Sequence, residues 1–97
     1  MTYARRVDTN HQDIVTTLRQ LGWSVKDILR VGQGFPDLVC ARQEGTVLCE
    51  VKDETGRLTQ DQQRFLATWR GPVYILRSFE HCVQLTHGTL PPWDASC

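Results

Sequence analysis

Gly34-Phe35-Pro36-Asp37-Leu38-Val39-Cys40-Ala41-Arg42-Gln43-Glu44-Gly45-Thr46-Val47-Leu48-Cys49-Glu50-Val51-Lys52 is the stretch that decides the fold. Two runs rich in Val, Leu and Cys, Asp37 to Arg42 and Thr46 to Lys52, flank the polar segment Gln43-Glu44-Gly45. Strand-forming runs joined by a short, glycine-containing reversal predict a β-hairpin. With Arg42 to Gly45 as the loop, Ala41 faces Thr46, Val39 faces Leu48 and Asp37 faces Glu50. Directly opposed residues share a face of the sheet, and so do alternate residues of one strand. Asp37, Glu50 and Lys52 therefore converge at one end of the hairpin, with the β-carbons of the two acids roughly 5 Å apart.

Upstream, Ile14, Val15, Leu18 and Leu21 recur at three-and-four spacing, which predicts a helix from Thr9 or Asn10 to about Leu21 with one buried stripe. Thr9 or Asn10 is placed to cap its start, and Gly22 suits a left-handed end. Trp23-Ser24-Val25 and Ile28-Leu29-Arg30-Val31 read as extended, and Gly32-Gln33-Gly34 as a break. Downstream, Gly56 marks a loop. A helix capped by Thr59 then runs to about Trp69, with Phe65, Leu66 and Trp69 on one side, and Gly71-Pro72 ends it. Val73 to Leu76 is wholly apolar, in the manner of a central strand, and Ser78 is placed to cap a last helix through about Leu85. Residues 1–8 and 88–97 are expected to be flexible or peripheral. The order α-β-β-β-α-β-α describes one α/β domain, residues 1–97, with a central mixed sheet flanked by helices.

Composition agrees with one ordinary core: 97 residues, 40% apolar and 23% charged, leave no footing for a coiled coil or wholesale disorder. No stretch approaches the roughly 20 apolar residues of a membrane span. The opening Met1-Thr2-Tyr3-Ala4-Arg5-Arg6 carries no apolar run behind its arginines, so no secretory signal, no membrane contact and a cytoplasmic setting with reduced cysteines are expected. Cys40 and Cys49 fall on the face opposite the acids, Cys82 on the last helix and Cys97 at the end. With no Cys-x-x-Cys spacing, they read as small apolar packing residues and not as zinc ligands. Eleven Lys plus Arg balance eleven Asp plus Glu. Neutrality argues at first sight against a polyanion partner, yet a carboxylate cluster that takes up a divalent cation reverses its local sign.

Two carboxylates as close as Asp37 and Glu50 repel unless a cation or a proton lies between them. Carboxylate, backbone-carbonyl and water oxygens suit a hard ion such as Mg²⁺ or Mn²⁺. Such an ion polarises a phosphate oxygen and lowers the pKa of a bound water. An adjacent Lys52 adds positive charge where a phosphorane builds up negative charge, or helps to orient and deprotonate the water. Metal-assisted phosphodiester hydrolysis is the chemistry that this set supports. At usages of about 5% per residue type, a Pro-Asp pair followed at short range by Glu-x-Lys arises by chance in about one chain of this length in a hundred. Lys26, Arg30, Arg57, Arg64 and Arg77 are candidate phosphate contacts if they line one surface. Phe65 and Trp69 read as core or interface before base-stacking platforms, and Trp93 as a candidate partner surface.

Through Gly34-Phe35-Pro36-Asp37-Leu38, Glu50-Val51-Lys52, Leu58-Thr59-Gln60-Asp61-Gln62 and Gly71-Pro72-Val73-Tyr74-Ile75-Leu76-Arg77-Ser78, the chain resembles the PD-(D/E)XK nuclease superfamily over residues 8–83. It is most similar to the small VRR-NUC and Holliday-junction-resolvase-like members found in phages. The resemblance implies a restriction-endonuclease-like core and a metal-dependent DNA endonuclease. Asp37, Glu50 and the backbone carbonyl of Val51 would hold Mg²⁺ or Mn²⁺, Lys52 would take the catalytic role, and Gln62 would stand beside the site. Relatives carry an acidic residue, usually Glu, just before the apolar run of the first helix. Asp13 holds that place here, one methylene shorter. Branched DNA such as a four-way junction is the implied substrate, and a two-fold homodimer would supply its two active sites. The alternative is a nucleic-acid-binding or assembly module that keeps the fold without the chemistry. Neutral charge favours it, and three costly residues gathered at one sheet edge argue against it.

Overall fold

Strand pairing in the computed structural model, which describes residues 9–94, follows the hairpin register expected. Strand β1 (Ser24–Asp27) pairs antiparallel with β2 (Leu38–Arg42), and β2 with β3 (Gly45–Val51), placing Ala41 opposite Thr46 and Val39 opposite Leu48. Arg42 pairs with Gly45, so the reversal itself is only Gln43-Glu44. Strand β4 (Val73–Leu76) runs parallel to β3, in the sheet order β1-β2-β3-β4. A parallel pair needs a crossover, and helix α2 (Gln60–Thr68) supplies it. Helices α1 (His11–Gln20) and α3 (Phe79–His87) complete the order read from the sequence, compatible with a restriction-endonuclease-like core.

Alternation divides the sheet into two unlike faces. Leu38, Cys40, Cys49, Val51 and Leu76 form the apolar face, and Ile14, Val15 and Leu18 of α1 with Cys82 and Leu85 of α3 pack over it. Their burial is the main source of stability, at about 25 cal/mol per Å² of apolar surface. The opposite face carries Asp37 and Glu50 at one end, while Val39, Ala41 and Leu48 stay half-buried further along it. Cys40, Cys49 and Cys82 are free and buried. Cys49 is held far above its usual range by its hydrogen bond with Cys40 and by burial, and burial pushes Cys82 to about 11, so both stay protonated thiols at neutral pH. Cys97 lies outside the described residues.

Local chemistry explains the ends of the elements. Thr59 Oγ1 accepts the Gln62 N–H while Gln62 Oε1 accepts the Thr59 N–H, a capping box that fixes the first turn of α2. Ser78 caps α3 through the His81 N–H, and Gly88, left-handed at φ 76°, ends it.

Three expectations are corrected. Ile28 to Val31 is not extended: Asp27 Oδ1 accepts the Leu29 N–H at 3.0 Å and Ile28 O accepts the Val31 N–H, which winds Leu29–Val31 into one 3₁₀ turn. Asn10 precedes α1 without a side-chain cap: its Nδ2 donates to two distant carbonyls, and in that orientation its Oδ1 accepts no helix N–H. β4 lies at the edge of the described sheet and not at its centre. Its apolar run is explained by cover on both faces, and its outer edge is met by the Trp93 N–H, 2.7 Å from Val73 O. Leu90 packs against the main core, while residues 1–8 and 95–97 lie outside the described residues. Among the described residues no helix is long and apolar enough to cross a membrane.

Candidate active site

The acid end of the hairpin opens into a cleft of about 650 Å³ lined by Asp37, Lys52 and Gln62, by Gly32 to Phe35, and by the Asp53 to Arg57 loop. Asp37 is 7% exposed, Glu50 3% and Lys52 8%, so three ionisable side chains are withdrawn from solvent together. One step beyond the Leu38–Cys49 pair, Asp37 and Glu50 are directly opposed across β2 and β3, and their carboxyls hydrogen-bond to each other. Burial raises the Asp37 carboxyl above its ordinary range. The Val51 N–H, His11, the Glu50 contact and the Lys52 charge all pull it down without cancelling that rise. The Val51 N–H donates to Asp37 Oδ2 at 3.0 Å. In a strand the N–H and C=O of one residue point to the same side, so the Val51 carbonyl also faces Asp37.

Gln62 joins α2 to this pair. Its Nε2 donates to Glu50 Oε2 at 2.7 Å, while its Oε1 is fixed by the Thr59 N–H at 2.8 Å. One side chain thus closes a helix cap and orients a buried carboxylate.

A family model of the VRR-NUC domain matches residues 4–80, and no curated protein and no solved structure matches the chain. The chain belongs to the VRR-NUC family. That family is a nuclease domain of the PD-(D/E)XK type, and the matched span includes the hairpin that gathers Asp37, Glu50 and Lys52.

The VRR-NUC chain brings together some of its candidate residues and separates others. Asp37, Glu50, Val51, Lys52 and Gln62 form one constellation. Asp13 does not join it: exposed on α1, it lines a separate groove of about 430 Å³ with Asn10, Arg77, Ser78 and Phe79. Helix geometry gives the reason. Asp13 is two residues, about 200° around the helix, from His11, and His11 is the residue turned toward the sheet. Arg57 is exposed and lines the cleft, and exposed Lys26, paired with Val39, shares the acid-bearing face. Arg30 lies exposed in the 3₁₀ turn. Arg64 pairs with Asp61 at 3.2 Å. Arg77 is a staple for the loop beneath the cleft, its Nη1 donating to Asp53 O at 2.9 Å and Gly56 O at 2.6 Å.

Two residues escaped the sequence reading. His11 is 6% exposed, its Nε2 lies 2.9 Å from Asp27 Oδ2, and its charge is felt at Asp37. Desolvation notwithstanding, the Leu29 N–H and His11 hold the Asp27 carboxyl below its usual range. The signal for His11 was in the period itself, since 11, 14, 15 and 18 form one helical stripe. Asn10 had no such signal: its Nδ2 donates to Lys52 O and to Arg77 O, both at 3.1 Å, tying α1 to the ends of β3 and β4.

Among the described residues no group of three or more His, Cys, Asp or Glu side chains is placed to hold a metal ion. Asp37, Glu50 and the Val51 carbonyl are the oxygen donors that the hairpin gathers at the floor of the cleft. That donor set suits a hard ion which keeps several waters, and not zinc. Two carboxyls this close and this buried repel each other unless a proton or such a cation lies between them.

Proposed function

We propose that this VRR-NUC protein is a Mg²⁺- or Mn²⁺-dependent endonuclease that hydrolyses DNA phosphodiesters, with branched DNA such as four-way junctions as substrate and a homodimer as the working unit. The observation that carries the reading is the buried Asp37–Glu50 carboxyl pair at the floor of an open cleft beside Lys52. A purely structural acid pair at 7% and 3% exposure would be costly, because buried carboxylates destabilise unless a cation or proton joins them.

In this mechanism Asp37, Glu50 and the Val51 carbonyl would hold the ion, which when bound polarises a phosphate oxygen and makes a bound water more acidic. Gln62 keeps Glu50 from rotating away, through the amide that the α2 cap has already fixed. Lys52, a residue of the cleft wall, would stabilise negative charge gathering on the phosphorane oxygens or orient the attacking water. Arg57 at the rim meets a flanking phosphate.

The test is to incubate the protein and Lys52→Ala with labelled junction, flap and linear duplex DNA, with Mn²⁺ or with EDTA. Mn²⁺-dependent cutting by the wild type, reduced at least about 100-fold in Lys52→Ala with DNA binding kept, is expected. Binding without any cutting, unchanged by Glu50→Ala, would leave the fold as a non-catalytic binding or assembly module instead.

A further inference from the structure

Phe35 belongs to two places at once. Its residue lines the cleft with Asp37 and Lys52, and its ring meets Phe65 edge-on at 4.9 Å and Trp69 at 6.3 Å. Phe65 and Trp69 stack at 5.1 Å with planes 23° apart. The three rings form a continuous ridge from the cleft wall to the C-terminal end of α2, where Trp69 remains 44% exposed. Phe65 covers one face of the indole, and Gly71 abuts its Nε1 edge so closely that a Cβ there would lie 3.1 Å away. The indole nonetheless stays 44% exposed, and the stack with Phe65 takes only one of its two faces. Leu66 of α2 and Val73 of β4 are buried, at 7% and 3% exposure, while Trp69 stays exposed.

We infer that this ridge receives an unpaired base of the DNA strand that enters the cleft, stacking it on Trp69. The inference rests on the nuclease reading above and names the substrate feature that the site selects. Two observations favour a nucleobase as the occupant. The ridge is continuous with the cleft through Phe35, so a strand crossing the acid pair passes the indole next. Basic groups border the path at both ends, with Lys52 and exposed Arg57 in the cleft and exposed Arg70 beside Trp69. A groove that pairs cations for phosphates with an open π-face for bases is the general design for single-stranded nucleic acid. Base pairs in an intact duplex keep their faces covered, so only a splayed, flapped or junction-adjacent strand can use such a platform.

The experiment measures binding by fluorescence anisotropy in EDTA, where no cutting occurs, for a splayed-arm DNA and for a fully paired duplex of the same sequence. Trp69→Ala should weaken splayed-arm binding about 5- to 150-fold, the range of one lost base stack, and leave the duplex within about twofold. Trp69→Phe should recover most of the loss. Because Trp69→Ala could disturb α2, unmodified protein is also offered arms with an abasic position walked along the strand, and one position should reproduce the loss. Equal weakening of both DNAs, no abasic position that matters, or a Trp69→Ala change in oligomer mass at fixed protein concentration would each overturn the inference, the last by assigning the ridge to a contact between copies. Base-dependent binding without Mn²⁺-supported cutting would defeat the nuclease reading alone. Cutting that ignores both Trp69→Ala and the abasic arms would defeat this inference alone.

Discussion

Asp37 is where function and stability oppose each other. Its carboxyl is raised by burial, so the folded state holds the Asp37 proton more tightly than the unfolded chain does. A raised folded value means a stability contribution that is full below the unfolded pKa and is lost as pH climbs through the folded one. Ionising Asp37 therefore costs the ion-free protein stability as pH rises, while Asn at position 37 can still accept the Val51 N–H. Asp37→Asn is expected to raise the ion-free melting temperature at pH 7, each kcal/mol being about 4–8 °C in a domain this small. The gap should close as pH falls toward 4. Melting curves of both proteins from pH 4 to 8 check this. Adding Mn²⁺ at pH 7 should reverse the order, since only the wild type keeps both carboxylates to bind it. A variant that melts lower than wild type at pH 7 without ion would show that the pair is not strained.

Helix α2 is the element on which the site depends, and Gly34 is its weakest point. A Cβ on Gly34 would sit 2.2 Å from Asp61 O, and the residue is left-handed at φ 83°, so no side chain fits without moving the first turn of α2. That turn carries Gln62, whose amide holds Glu50. Gly34→Ala should cost about 1–3 kcal/mol of stability and reduce cleavage more than binding, as urea melts and parallel cleavage and anisotropy assays would report. Unchanged cleavage would mean that Gln62 does not orient Glu50. The importance of α2 was partly legible: Thr59 and Gln62 stand at cap spacing, and Leu58 to Gln62 resemble the family. The approach of Gly34 to Asp61 was not legible, because it joins residues 27 apart through backbone atoms. The same limit hid Asn10, whose two acceptors belong to Lys52 and Arg77. It also misplaced β4, since an apolar strand at a covered edge reads like a central one. The hairpin, by contrast, was readable to the residue because alternation and turn length together fix a local register. Asp13 follows from the family resemblance, whereas the helical period turns His11, not Asp13, toward the sheet.

At the scale of the whole molecule, a chain with eleven cationic and eleven anionic side chains carries no field of its own to draw in DNA. The cleft is no better: Asp37, Asp53 and Asp61 line it against Lys52 and Arg57, with Glu50 behind. A divalent ion would change the local balance by two units, which is enough to cancel the excess of four carboxylates over two bases. Affinity for DNA should consequently depend on the ion even when no bond is cut. With Ca²⁺ replacing Mn²⁺ as an ion that takes the same oxygen ligands, anisotropy titrations should give DNA binding at least about tenfold tighter than in EDTA, a difference of about 1.4 kcal/mol. Asp37→Asn should lose most of that gain, whereas replacing a basic residue at the other end of the hairpin, such as Arg42, which donates to Thr86 O, should not affect it. The ion-dependent part should persist as salt rises, because it arises in a recessed cleft and not from exposed charges that counterions screen. Equal affinity in Ca²⁺ and EDTA would mean that the acid pair and the DNA do not share an ion, and the role of Asp37 would then have to be sought in the protonated pair itself.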